Sequence, residues 1–240
     1  MCTISFIPKQ AGFYLAMNRD ERRSRESALP LAIVDLTNRR AMFPREPEGG
    51  TWISANNAGI CLALINWHRV EHEPKHDVVS RGQIVRELAG KSSADEIANG
   101  VMKLPLRKLR PFRLIAIAPS DKIVTEWRWN LERLSERKHP WRLQHWFSSG
   151  YDEPKAEAER AQICAIARHQ STHENLGWLR HLHRSHAPKR GPFSICMHRG
   201  DATTVSYTEV SVTDNSVSMR YADGPPCVAQ FIVTKKLLTA

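Results

Sequence analysis

The first twenty residues alternate apolar and polar positions with a period of two. Cys2-Thr3-Ile4-Ser5-Phe6 reads as a strand, Pro8 to Gly12 as a turn, and Phe13 to Asp20 as the returning strand, with Phe13, Leu15 and Met17 on one face. Residues 22–48 are charged and broken by prolines, which predicts mainly a surface excursion around one short apolar segment, Leu31 to Val34. A second hairpin follows: Thr51 to Ser54, a turn at Asn56-Asn57-Ala58-Gly59, then Ile60 to Trp67.

The period then changes to that of a helix. Ser80 with Gln83 and Ser93 with Glu96 have the spacing of capping boxes, and Ile84/Leu88 and Ile97/Val101/Leu104 supply the apolar stripes behind them. Strand character returns at Phe112–Ala118 and Lys122–Trp129, across a turn at Pro119-Ser120-Asp121, and again at Trp146–Ser149. Pro154 opens a helix to about His169, and Asn175 to His186 reads as another. Strands are predicted at Phe193–His198, Thr203–Val212 and Ser216–Tyr221, before a break at Gly224-Pro225-Pro226. Strands, a helix pair, strands, a helix pair and strands in that order suit an α+β fold: two mostly antiparallel sheets packed together, with helices outside, in four layers.

Composition narrows the function classes. With 41% hydrophobic and 25% charged positions among 240 residues, the chain can bury a core. Its longest apolar run, Ala58 to Ile65, is far short of the roughly 18 residues of a membrane helix. The amino end has no basic segment leading into an apolar one, so the expectation is a cytoplasmic protein without a membrane span. A net charge of +10 keeps nucleic acid among possible partners, but the basic residues are scattered and no recognition motif accompanies them. Nucleic acid is therefore not the expected partner.

Several motifs fail on their chemistry. His72-Glu73-Pro74-Lys75-His76 fits the zinc-peptidase pattern, but Pro74 breaks the helix which that pattern needs. His181 and His183 point to different sides of a helix, so His181, His183 and His186 read as a solvated basic face. Five cysteines at 2, 61, 164, 196 and 227, with no C-x-x-C, predict neither a disulfide framework nor a metal site. No cofactor is expected.

One constellation remains. Cys2 becomes the first residue if Met1 is removed. Asn18-Arg19-Asp20-Glu21 ends the strand hairpinned to it, and Asn66 closes a strand on the face of Ile60, Leu62 and Leu64. A terminal cysteine carries its own base, because a free α-amine has a pKa of about 7.7–8.0.

The residues Met1-Cys2-Thr3-Ile4, Asn18-Arg19-Asp20-Glu21, Gly49-Gly50-Thr51-Trp52-Ile53 and Ser80-Arg81-Gly82, with Cys196-Met197-His198-Arg199 as a further landmark, resemble the NRDE family. That family is related to transport and Golgi organisation protein 2. It is similar in turn to the N-terminal nucleophile (Ntn) hydrolases of the bile-salt hydrolase and penicillin V acylase branch. The resemblance implies a single Ntn-hydrolase-like domain over residues 1–240, an αββα sandwich, and a cysteine amidohydrolase cleaving a linear amide C–N bond. Cys2, Asp20 and Asn66 match the branch's catalytic residues. Its neighbouring asparagine falls at Asn18. Its arginine falls at Met17, and Arg19, on the same strand face, is placed to substitute. Its second active-site asparagine falls near Ser149, and Arg199 is the candidate for its late arginine. The implied ligand is a small-molecule amide or acyl compound. The relatives imply a second reading: a non-catalytic carrier of haem or an acyl-CoA or lipid-like ligand, with haem as its only cofactor.

Overall fold

The computed structural model describes every residue except Met1, Glu73, Lys75, His76, Asp77, Thr172, Ile232 and Ala240. Glu73, Lys75 and His76 of the zinc-peptidase-like segment thus lie outside the described residues. The strands are β1 (Cys2–Pro8), β2 (Phe13–Arg22), β3 (Leu29–Asp35), β4 (Arg40–Arg45), β5 (Ile53–Asn56), β6 (Cys61–Asn66), β7 (Phe112–Ala118), β8 (Ile123–Trp129), β9 (Leu134–His139), β10 (Gln144–Ser148), β11 (Ala202–Val212), β12 (Ser216–Asp223) and β13 (Val233–Leu238). The helices are α1 (Gly82–Leu88), α2 (Ala94–Val101), α3 (Glu153–His169) and α4 (Leu176–Arg184).

These strands form two antiparallel sheets, ordered β10-β1-β2-β11-β12-β13 and β3-β4-β5-β6-β7-β8-β9. Period-two alternation sends Ile4, Phe6, Phe13, Leu15 and Met17 into the space between the sheets, where they meet Met42, Ile53, Ala55, Ile65, Ile115 and Ile117 of the second sheet. The opposite face of β6 and β7 presents Leu62, Leu64, Leu114 and Ala116, together with Ile60 just before β6, to Ile84, Val85 and Leu88 of α1 and Ile97 and Val101 of α2. On the other side, α3 and α4 cover the six-stranded sheet: Ile163, Cys164 and Leu182 pack with Phe147, and Leu179 packs with Ile7 and Ala16. The result is the four-layer αββα arrangement.

The excursion expected over residues 22–48 is instead two strands, β3 and β4, which complete one edge of the second sheet. Leu31, Ala41, Met42 and Phe43 are buried there. The strand expected at Phe193–His198 is absent. That segment is irregular, and the Cys196 and His198 amides donate to Ser185 O and Gly191 O rather than to a neighbouring strand. Edge strands β9 and β13 carry several charged residues and escape the hydrophobic pattern. Of the two capping boxes, Ser93 accepts from the Glu96 amide at 3.2 Å, as the spacing predicts. Ser80 instead accepts from the Gly82 amide at 3.3 Å, and the residue before α1, Arg81, makes no side-chain cap.

Two glycine segments far apart in sequence meet at the end of the second sheet. Gly49, at φ +88°, closes a turn in which Glu46 N donates to Gly50 O at 2.7 Å and Gly49 N to Glu46 O at 2.8 Å. Thr51 N then donates to Gly82 O at 3.0 Å. A Cβ on Gly82 would stand 2.9 Å from Thr51 N and 3.1 Å from Gly50 Cα, so the two backbones approach as closely as they do because neither glycine has a side chain. Gly82→Ala is expected to destabilise the protein by about 1–3 kcal/mol through overpacking, against at most about 1 kcal/mol gained in helix propensity. The urea midpoint should fall, and an unchanged midpoint would show that this crossing tolerates a side chain.

Candidate active site

The first sheet's register determines what surrounds residue 2. Cys2 lies between Arg19 on β2 and Ser148 on β10. Directly opposed residues share a face, so Cys2 and Arg19 both point inward, while Asn18 and Asp20 point toward α3 and α4. Cys2 itself is buried. It lines a cavity of about 350 Å³ at the ends of the strands, together with Arg19, Asp20, Thr51, Trp52, Leu64, Asn66, Val79 and Arg81. Cys2 and Asn66, 64 positions apart and on different sheets, therefore open onto the same space.

Burial pushes the Cys2 thiol above its ordinary pKa, and the Asp20 carboxylate pushes it the same way. The Asp20 backbone N–H and the Arg19 guanidinium act in the opposite sense without reversing the shift. Cys2 is thus a thiol in need of a base, not a resting thiolate.

Arg19 is held from two sides. Its guanidinium lies 4.2 Å from the centre of the Trp52 ring and donates to Glu46 Oε1 at 2.7 Å. Glu46 also accepts from Arg25 at 2.8 Å. The glycine turn that positions Glu46 therefore reaches the cavity through Arg19.

Asp20 occupies a different environment. Thr204 Oγ1 donates to Asp20 Oδ1 at 2.6 Å, and Arg160 Nη2 stands 3.3 Å from Oδ2. Arg160 is fully buried on α3 and also donates to Thr3 Oγ1 at 3.1 Å. A register shift between Thr204 and Ser206, opposite Asp20 and Arg19, brings Thr204 to the carboxylate. Sequence reasoning missed Arg160. Its signal was an arginine spaced with Ala156, Ile163 and Cys164 on the buried stripe of a helix, where an unpaired charge does not persist.

The remaining predicted residues stand elsewhere. The Asn18 side chain donates to His183 O at 3.0 Å and Ile195 O at 2.9 Å, tying the end of α4 to the following loop. Ser149 is buried just beyond β10; its N–H donates to Glu153 Oε1 and its Oγ accepts from the Tyr151 amide, both at 3.3 Å. Arg199 donates to Asp201 Oδ1 at 2.8 Å and lies 5.0 Å from the centre of the Tyr151 ring. None of these three lines the Cys2 cavity. Nor do Cys61, Cys164 and Cys227.

The expected solvated histidine face of α4 is corrected by burial. His183 is fully buried, with Nδ1 3.0 Å from Asn18 Oδ1 and Nε2 2.9 Å from Ser5 Oγ. Burial first, then the nearby His145 and Arg160, lower its pKa to about 3, so it is a neutral structural histidine. The polar outward positions of β1 and β2, which carry Ser5 and Asn18, are what require it there.

The profile of the family described as Transport and Golgi organisation 2 matches residues 1–210. No curated protein sequence matches the chain. Among solved structures, penicillin V acylase from Agrobacterium tumefaciens superposes with a TM-score of 0.54 at 10% identity, covering 93% of this chain and 86% of that one. Two variants of conjugated bile acid hydrolase from Clostridium perfringens each superpose with a TM-score of 0.51 at 10% identity. They cover 99% and 100% of this chain and 97% and 98% of theirs. At that identity the likeness establishes the fold, which is the sandwich of the Ntn hydrolases. The chain belongs to the Transport and Golgi organisation 2 family and has an Ntn-hydrolase fold.

Proposed function

We propose that the protein is a cysteine amidohydrolase of the N-terminal-nucleophile type, cleaving a linear amide C–N bond with Cys2 as nucleophile once Met1 is removed. The observation that carries this reading is that Cys2 and Asn66 open onto one cavity, with the anchored Asp20 beside Cys2. Removal of Met1 frees the α-amine of Cys2, which takes the thiol proton. The thiolate attacks the amide carbonyl, and the Asn66 side-chain amide donates to the developing oxyanion. The same amine returns the proton to the leaving nitrogen, and water then hydrolyses the thioester.

Asp20 orients the amine, and Arg160 and Thr204 keep its carboxylate in place. Arg19, fixed by Trp52 and Glu46, contributes positive charge beside the sulfur. Trp52, Leu64, Val78 and Val79 give the cavity an apolar side suited to an acyl group, while Arg81 and Arg110 line it as polar counterparts. A small acylated amine fits this division of surfaces.

Intact mass should show a chain lacking Met1, and turnover should be found in a screen of acylated amines. An uncleaved amino-terminal extension should lower kcat/KM by ~10²–10⁴, the range for loss of a positioned general base. Cys2→Ser should also be nearly inactive. A free amine works as a base only when unprotonated, so kcat/KM should rise with pH through about 7.7–8.0 and then level. Turnover that survives a blocked terminus would refute the mechanism. Ligand binding without turnover in all three proteins would favour the carrier reading.

Arg160→Met leaves the Asp20 carboxylate buried beside Thr204 without its cation. A loss of about 3–5 kcal/mol is expected in urea unfolding. Adding Asp20→Asn to that variant should recover part of the stability but not activity. If Arg160→Met alone unfolds like the parent, the pair does not hold Asp20.

A further inference from the structure

Outside the Cys2 cavity, the described residues bring together four metal-binding side chains: His186, Cys196, His198 and Cys227. Their donor atoms all lie within 4.8 Å of one another. His198 Nε2 stands 3.2 Å from His186 Nε2, 3.5 Å from Cys196 Sγ and 3.5 Å from Cys227 Sγ. A tetrahedral zinc ion with bonds of about 2.0–2.1 Å to nitrogen and about 2.3 Å to sulfur needs edges of ~3.3 Å (N–N), ~3.5 Å (N–S) and ~3.8 Å (S–S). The three separations from His198 Nε2 have the N–N and N–S lengths, and the remaining donor pairs lie within 4.8 Å.

The surroundings prepare the donors. Thr203 Oγ1 donates to Met197 O at 3.1 Å, so its lone pair is turned toward His198 Nδ1 at 3.2 Å. Nδ1 then carries the proton and Nε2 presents a bare lone pair to the cluster, the usual outer-shell device for a metal-bound histidine. The Arg190 guanidinium approaches the same Nδ1 at 3.3 Å and, as a donor, demands the opposite tautomer. Metal binding at Nε2 selects the Thr203 bond.

We propose that His186, Cys196, His198 and Cys227 form a structural zinc site. The ligands come from three separate segments: the stretch just past α4, the irregular segment before β11, and the turn after Gly224-Pro225-Pro226. Binding one Zn²⁺ displaces the two thiol protons, so two thiolates balance the ion and no net charge is added. Two thiolates and two imidazoles favour zinc over the hard cations magnesium and calcium. With all four positions filled by protein, there is no open site for substrate, and no ligand lines the Cys2 cavity. The ion would staple segments that otherwise share little regular backbone pairing, and this assignment stands whether or not Cys2 is catalytic.

The test uses the full-length protein, stripped of metal under reducing conditions and titrated with Zn²⁺ or Co²⁺. One equivalent of zinc should bind with nanomolar or tighter affinity against a chromophoric chelator. Cobalt should give the intense visible bands of a tetrahedral ion together with thiolate-to-cobalt charge transfer, and zinc should protect two of the five cysteines from a thiol reagent. Cys227→Ser and His186→Gln, both at incompletely buried positions, should each weaken zinc binding by more than about 100-fold, beyond the span typical of outer-shell changes. His181→Gln, on an exposed neighbour, should leave it unchanged. No zinc uptake by the folded protein, or an octahedral cobalt spectrum without thiolate charge transfer, would overturn the site. Undiminished binding by the folded variants would do the same. Should a variant fail to fold, the parent's cobalt spectrum and thiol protection still decide.

Discussion

A carboxylate buried between layers must be matched by positive charge and hydrogen bonds, and Asp20 is where that demand falls. Its oxygens are met by Thr204 at 2.6 Å and Arg160 at 3.3 Å, and Arg160 reaches on to Thr3. The cluster joins β1, β2 and β11 to α3 through groups that are all removed from water. In so dry a setting, the penalty for an unmatched charge exceeds what most apolar contacts contribute, so the helix, the register shift and the amino-terminal strand are mutually constrained. Cys2 inherits its position from that arrangement, because it is the neighbour of Thr3 and lies across from Arg19.

The same hairpin separates two tasks by strand alternation. Arg19 faces the cavity and stacks on Trp52, while Asn18 and Asp20, one residue to either side, face the helices. Four consecutive polar residues on a strand would be hard to bury on a single face. Divided between two faces, Arg19 is matched by Glu46, Asp20 by Arg160 and Asn18 by backbone carbonyls. The glycine crossing completes the division from the other sheet, since the turn that Gly49 closes sets Glu46 against Arg19. The family's glycine-containing landmarks are thus backbone features that shape the wall of the cavity.

Beneath the six-stranded sheet, polarity is handled differently. His183 accepts burial as a neutral ring because Ser5 and Asn18 satisfy both of its nitrogens. The nearby His186, past the end of α4, turns away from this network toward Cys196, His198 and Cys227. Two histidines three positions apart therefore belong to separate polar clusters, and the irregular segment before β11 contributes to both, through Ile195 O at Asn18 and Cys196 at His198. That segment is anchored by Asn18 at Ile195 O and by Thr204 at the Met197 amide, so it is ordered without being a strand.

The sequence by itself determined the parts that depend on near neighbours. Alternation defined the β1–β2 hairpin and which of its residues share a face, Ser93 and Asn175 announced helix starts, and the Asn-Arg-Asp-Glu run together with Cys2 pointed to one end of the first sheet. Each of these rests on forces acting over a few residues. Tertiary structure alone decided the rest. β3 and β4 form because an existing sheet edge offers them partners, although their own pattern is weak. The strand expected at residues 193–198 does not form, because its amides find other acceptors. Arg160 became the partner of Asp20, and His186, Cys196, His198 and Cys227 became one cluster, only when distant segments were packed together. The physical reason is common to all of these: a buried charge or donor atom is satisfied by whatever the fold places beside it, and chain spacing holds no record of that neighbour.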